Sequence, residues 1–221
     1  MFSREIKLIG DDGLQRLFAS RVLVVGVGGV GGYVVEMLAR AGVGTIGMMD
    51  KDVVDISNKN RQIIALDSTL GMPKVKAFEQ RIKDINANCS VISICERFSA
   101  DNTYVLDMGW DMVVDAIDSF ADKVELICLA KQKGLDIISA GGAGNRVELC
   151  DFEICDIYKT SYDPLAKKLR KALKDRGIKN LDICYTKSPA IVCDGVGSIS
   201  YIPPLSGIKI AGYVVGRLLE K

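Results

Sequence analysis

The residues able to do chemistry fall in five clusters, and the first is a glycine turn. Gly26-Val27-Gly28-Gly29-Val30-Gly31 has the GxGxxG spacing. With no Cβ in the way, its backbone N–H groups and the helix expected after it can face phosphate oxygens. Further on, Asp50-Lys51-Asp52 sets two carboxylates where ribose hydroxyls would donate hydrogen bonds. The glycine turn with Asp50 suits a nicotinamide dinucleotide as well as a nucleoside triphosphate, and taken alone it favours an oxidoreductase.

The acid pair Asp50-Lys51-Asp52 beside one ribose and three further clusters shift that balance. Asn58-Lys59-Asn60-Arg61-Gln62 is a dense set of donors, fit for phosphates or for a plain solvated turn. Lys74 follows Pro73 in a first helical turn, where a cation opposes the helix dipole at a cost of roughly 0.3–1 kcal/mol. A bound anion would reverse that sign; otherwise Lys74 is an ordinary surface lysine. Asp118 ends the apolar run Val113-Val114-Asp115-Ala116-Ile117. A carboxylate there can hold Mg2+ against phosphates, or it can cap the helix beginning near Ser119. All of these groups fall at the carboxyl ends of expected strands, where open α/β sheets bind ligands. A polyphosphate with its metal accounts for them jointly better than a dinucleotide does.

The composition narrows the chemistry further. The chain of 221 residues has no histidine, which removes every histidine-dependent triad or general base. Its seven cysteines (Cys89, Cys95, Cys128, Cys150, Cys155, Cys184 and Cys193) form no CxxC pair, which removes the usual zinc ligand sets. Odd in number, with no signal-peptide pattern ahead of them, they read as reduced thiols of a cytoplasmic protein. The net charge is +1, so attraction to nucleic acid must come from a local patch. No run of about 18 apolar residues predicts a membrane span.

These clusters need a scaffold that brings strand ends together. Glu5 to Leu17 reads as two short helical pieces around Gly10-Asp11-Asp12-Gly13. Arg21 to Gly26 is an apolar strand, Tyr33 to Ala41 a helix with Val34, Val35, Leu38 and Ala41 inward, and Thr45 to Met49 a second strand. Right-handed crossover makes those two strands parallel and adjacent. Pro73 to Asn86 predicts a helix, Ser90 to Ile94 and Asp111 to Ile117 strands, and Ala121 to Lys133 another helix. Asp136 to Ala140 returns as a strand into Gly141-Gly142-Ala143-Gly144. The alternation predicts an α/β, Rossmann-like fold, a mostly parallel sheet flanked by helices.

The rhythm breaks near residue 145. Val147 to Ile157 alternates like a half-solvated strand, and Asp163-Pro164 starts a helix that runs to Arg176 and is closed by Gly177. Residues 178–205 hold three of the five prolines and predict loops with a short strand at 199–202. Ser206 to Leu219 predicts a last helix, apolar enough to dock or to face a second subunit. There are no internal repeats.

On these residues the chain resembles the ThiF/MoeB superfamily of adenylylating enzymes, relatives of the ubiquitin-activating enzymes. The likeness is carried by GVGGVGG from Gly26, DKD from Asp50, SNKNRQ from Ser57, GMPK from Gly71 and DAIDS from Asp115, and it spans nearly the whole chain. It implies ATP and Mg2+ as cofactors. Gly26, Gly28, Gly29 and Gly31 would cradle the nucleotide with Asp50 on the ribose and Asp52 beside it. Asn58, Arg61 and Lys74 would meet the phosphates, Gln62 lies on the same loop, and Asp118 would hold Mg2+. Arg4 matches an arginine that family dimers insert into the partner's active site, so a homodimer is implied, with Arg4, Arg61, Lys74 and Asp118 as catalytic groups. The expected organisation is one domain over 1–221, with a nucleotide-binding core at 1–144. The C-terminal extension of strands, loops and helices at 145–221 would face substrate and dimer partner.

Sulfur-carrier activators of that superfamily carry two CxxC pairs, and this chain has none. The stretches LIGDDGLQRL, NKNRQIIAL, DAIDS, ISAGGAGN and SYDPLAKKLRKALKDRG are instead similar to the tRNA threonylcarbamoyladenosine dehydratase subgroup. That likeness implies adenylylation of the threonyl carboxylate of the modified nucleoside, ring closure by one of its own nitrogens, and net loss of water. Such chemistry needs positioning and charge neutralisation more than a protein nucleophile. The alternative is activation of the C-terminal carboxylate of a ubiquitin-like sulfur-carrier protein, and a sulfur-transfer protein would be a further partner.

A basic stretch supports an RNA partner independently. Lys159, Lys167, Lys168, Arg170, Lys171, Lys174, Arg176 and Lys179 face only Asp163 and Asp175 over the same segment. Leu165, Leu169, Ala172 and Leu173 form its apolar stripe, so the cations must fan outward. Lys167, Lys168, Arg170, Lys171 and Lys174 are therefore the candidate tRNA contacts, unless this is a plain amphipathic helix. Cys184 falls where some relatives have a loop crossing the active site; with only Lys187 nearby to lower its pKa, it reads as structural.

Overall fold

The computed structural model describes residues 1–220. Seven strands form one sheet: β1 (Arg21–Val25), β2 (Thr45–Met49), β3 (Ser90–Ile94), β4 (Met112–Asp115), β5 (Ile137–Ala140), β6 (Phe152–Asp156) and β7 (Asp182–Thr186). Their order is β3-β2-β1-β4-β5-β7-β6, and all pairs are parallel except the last. Parallel strands need helical crossovers, which cover both faces; that is why β1, β2, β4 and β5 read as unbroken apolar runs.

Along β1 the side chains alternate between two cores. Val22 and Val24 pack with Val34, Val35 and Leu38 of α2 (Gly31–Ala41), Phe78 of α3 (Lys74–Ile85), and Ile210 and Val214 of the last helix, Ile202–Glu220. Leu23 and Val25 pack on the other face with Val124 and Ile127 of the helix Phe120–Gln132 and with Leu169 and Leu173 of the helix Pro164–Asp175. In chain order these helices are α4 (Phe120–Gln132), α5 (Pro164–Asp175) and α6 (Ile202–Glu220), and α1 is Ile6–Ala19. The expected two-piece start is present: α1 consists of two helical pieces that meet at Gly10, whose φ of 71° and ψ of 173° are not helical. The strand order reverses between β1 and β4, which opens a crevice beyond their carboxyl ends.

The last third departs from expectation. Residues 199–202 are not a strand: α6 already begins at Ile202, with Pro203 and Pro204 buried in its first turn. Proline is tolerated there because first-turn N–H groups have no helical acceptor, so the prolines mark a helix start. The strand of this region is β7, inserted between β5 and β6. Its short apolar run Ile183-Cys184-Tyr185 sits among prolines and glycines that pull a sequence reading towards loop. The strand expected over Val147 to Ile157 shrinks to Phe152–Asp156, and Val147 and Leu149 are left exposed. Among the described residues no helix is long and apolar enough to cross a membrane.

Candidate functional site

The crevice is a cleft of about 950 Å³, within the range that takes a small-molecule or cofactor ligand. Its floor is the glycine turn between β1 and α2. Gly26 has φ +85°, and a Cβ there would sit 2.6 Å from the Ala116 carbonyl oxygen, so β1 and β4 close at this point only with glycine. Gly31 lies behind the turn, where a Cβ would come within 1.9 Å of the Gly26 oxygen. Gly28 and Gly29 line the open side. Bare backbone therefore faces the cavity, as a phosphate cradle requires.

Asp50 leaves the end of β2 and fixes this turn. Its Oδ2 accepts from Val27 N at 2.9 Å and its Oδ1 from Asp52 N at 2.9 Å. The two bonds aim the carboxylate into the cleft, and each oxygen keeps a second lone pair for a ribose hydroxyl. Asp52 differs from the expectation of a second ribose partner. Its Oδ2 accepts from the Lys74 ammonium at 2.9 Å. Lys74 is 5% exposed, so it is no ordinary surface lysine: it is a buried cation at the first turn of α3, pointing into the cavity.

The loop after β2 closes the phosphate side. A short 3-10 turn at Ile56–Asn58 is locked by Asp55, which accepts from Ser57 N at 2.8 Å, while Asn58 Oδ1 accepts from Asp55 N at 3.1 Å. That lock presents Arg61 and Gln62 to the cavity. Arg61 is steadied by Ser57 O at 3.1 Å and Asn60 Oδ1 at 2.8 Å. Gln62 is buried, and its Oε1, like the Ser198 hydroxyl, has no partner among the described residues although both residues line the cleft. The bare turn and the cations Arg61 and Lys74 fit a polar, anionic nucleotide.

Asp118 stands opposite. It lies in the loop after β4, exposed and lining the cleft. The helix-capping alternative fails, because the N-cap of α4 is Ser119 and it receives no side-chain cap. What aims the loop is the preceding Asp115, whose Oδ1 accepts from Ile117 N at 3.1 Å. Two residues missed by sequence reasoning also frame the mouth: Arg97 forks onto Asp122 at 2.7 and 3.0 Å. That fork holds the Asp122 carboxyl below its ordinary range. Glu96-Arg97-Phe98 follows β3 after Cys95, so the strand-end rule that found Asp50 would have found Arg97 as well.

The ThiF family model matches residues 2–199. The chain belongs to the ThiF family. Among its ThiF relatives, a tRNA threonylcarbamoyladenosine dehydratase of Bacillus subtilis is 39% identical over 241 residues, covering 99% of this chain and 94% of that protein. The Haemophilus influenzae dehydratase is 33% identical over 239 residues, covering 97% and 92%. The solved structure of the Escherichia coli dehydratase, TcdA, in complex with ATP superposes with a TM-score of 0.94 at 31% identity, covering 99% of this chain and 93% of that one. The Escherichia coli MccB structure, at 18% identity and a TM-score of 0.69, shares the fold.

Outside the cleft, the ThiF chain arranges its remaining candidates unevenly. Arg4 is exposed at the N-terminus and does not line the chain's own cleft. On α5, Lys167, Lys168, Lys171 and Lys174 are all exposed; of the expected stripe Leu169 and Leu173 are buried and Leu165 and Ala172 half-buried, while Ala166, outside that stripe, is buried as well. Arg170 is the exception. Half-buried, its Nη1 donates to Thr160 O at 2.7 Å and Thr160 Oγ1 at 3.0 Å, so it braces the loop before the helix rather than facing outward. Cys184 is buried in β7, where burial pushes its thiol up to about 11. Lys187, the one cation expected near it, pairs with Glu153 at 2.7 Å.

Proposed function

We propose that this ThiF chain binds ATP with Mg2+ in the cleft and dehydrates threonylcarbamoyladenosine in tRNA to its cyclic form. The observation that carries the reading is the convergence, in one cavity, of a bare glycine turn, two cations (Arg61 and Lys74) and the exposed carboxylate of Asp118. The end-to-end likeness to dehydratases supports the substrate.

ATP supplies an α-phosphorus that the threonyl carboxylate can attack, so that one carboxylate oxygen leaves with AMP. The chain's own residues do the rest. Asp50 orients the ribose, and the turn at Gly28 and Gly29 holds phosphate oxygens on backbone N–H groups. Lys74 swings from Asp52 to the phosphates, and Arg61 neutralises the charge that builds as pyrophosphate departs. Asp118 would hold Mg2+ against the phosphates. Ring closure needs the two ends of one nucleoside held together, and no side chain has to attack, which suits a chain without histidine. Lys167, Lys168, Lys171 and Lys174 offer tRNA phosphates a basic row.

The protein acts in the cytoplasm as a homodimer in which Arg4 of one copy reaches the other's cleft. The reading for the cytoplasm rests on the unpaired thiols, and the dimer on the family resemblance. Incubation with ATP, Mg2+ and modified tRNA should remove the mass of one water from the modified nucleoside. Pyrophosphate exchange that depended on a carrier protein ending in Gly-Gly, with no change in the tRNA, would overturn this in favour of sulfur-carrier activation.

A further inference from the structure

One exposed aromatic side chain, next in sequence to a residue bonded to the loop that enters the cleft wall, has no role in the nucleotide chemistry. Tyr162 is 85% exposed and sits at φ 62°, in the left-handed region. A bulky residue is an outlier there, and an exposed ring returns nothing to the core for the strain. Its surroundings are rigid. The next residue, Asp163, is buried; its Oδ1 accepts from Ala166 N at 3.0 Å and its Oδ2 from Gly142 N at 3.3 Å. Gly142 leads directly into Ala143 and Gly144, which line the cleft. Arg146 ties the same loop through Gly142 O at 3.1 Å and Gly144 O at 2.9 Å. The ring is therefore mounted on a braced segment that is bonded to the cleft wall.

Charge decides what such a ring would meet. From Pro164 to Lys174 helix α5 carries five cations and no carboxylate, and its exposed face bears Lys167, Lys168 and Lys171. A flat aromatic surface heading a basic row matches a nucleobase followed by phosphates, since base stacking on an aromatic ring is sequence-tolerant and the backbone tracks the cations. An apolar protein partner would gain from the ring but not from the lysines.

We propose that Tyr162 is a stacking platform for an unpaired RNA base at the head of α5, with Lys167 and Lys168 meeting the adjoining phosphates. The identity of the RNA as tRNA rests on the proposed function; the platform itself does not. The test is binding of a labelled, unmodified anticodon stem-loop RNA to the full chain, without turnover. Tyr162→Phe keeps the ring and should bind like the wild type. Tyr162→Gly removes it and should weaken binding about 5- to 150-fold, the worth of one stacked base. Glycine suits φ 62°, so the variant should melt no lower than wild type and keep its ATP affinity. A fully paired duplex of equal length should not distinguish the two proteins.

Equal binding of the stem-loop by Tyr162→Gly and wild type would overturn the platform, as would an equal loss on the duplex or no RNA binding at all. Stem-loop binding that depends on Tyr162, in a wild-type protein that leaves modified tRNA unchanged, would uphold the platform and remove the dehydratase reading instead.

Discussion

Lys123 Nζ lies 2.6 Å from Asp115 Oδ2, and the two side chains are 1% and 0% exposed. The same oxygen accepts from the Ser139 hydroxyl at 2.5 Å, and Lys123 also donates to Ala140 O at 3.2 Å. This ion pair ties α4 to the ends of β4 and β5 directly beneath the loop that carries Asp118. Its energetic worth lies less in attraction than in the cost of breaking it, because removing one partner leaves a charge buried without compensation.

Lys123→Met should accordingly destabilise the fold by about 3–5 kcal/mol, read as a lower urea midpoint at unchanged slope. Adding Asp115→Leu should restore most of that stability, because both charges are then gone. If the single variant were as stable as wild type, the pair would be ornamental.

Asp118→Ala should abolish turnover and leave the melting temperature within a degree or so of wild type, since surface changes away from packed features are worth about 0.5 kcal/mol or less. Asp118 is exposed and makes no bond that holds α4. Titrating Mg2+ in the Asp118→Asn variant should show a raised metal requirement. Retained activity at ordinary Mg2+ would remove Asp118 from the metal site.

Lys74→Met should weaken ATP binding by about 10- to 150-fold, which corresponds to loss of a charged hydrogen bond worth roughly 1.5–3 kcal/mol. The partner left behind, Asp52, is half-exposed, so the fold should scarcely notice. Calorimetry with ATP and Mg2+ checks both parts. Unaltered affinity would return Lys74 to a purely local role with Asp52.

Reversing Lys167, Lys168 and Lys171 to Glu should weaken tRNA binding and flatten its dependence on salt, because fewer counterions are released per complex. Filter binding across a salt series measures the slope. An unchanged slope would leave α5 as an ordinary amphipathic helix.

Cys184 sets a pH limit. Burial raises its thiol from 9.0 to about 11, so the folded chain holds a proton that the unfolded chain gives up near pH 9. The contribution is whole below pH 9 and lost as pH climbs towards 11, on the order of 2–3 kcal/mol. Cys184→Ala should flatten that part of the profile in urea titrations between pH 8 and about 11. In the native protein, the exposed Cys95 and Cys193 should alkylate first and Cys184 only on unfolding.

What the amino-acid order determined by itself was local. The apolar run of β1, the glycines after it and the polar residues at each strand end are consecutive in the chain, so a period of two, a turn and a helix start announce them. The set expected to face the nucleotide, Asp50, Asn58, Arg61, Gln62, Lys74 and Asp118, was legible for that reason, and all of it lines one cleft. Tertiary structure decided whatever depends on partners distant in sequence. It turned Asp52 to Lys74 and Arg170 to Thr160, and it brought Arg97 to Asp122 across the mouth. It also placed β7 inside the sheet, although five residues with a three-residue apolar run hold too little pattern to say so. Pairing energies of this kind come from burial and geometry, which exist only once the chain has folded.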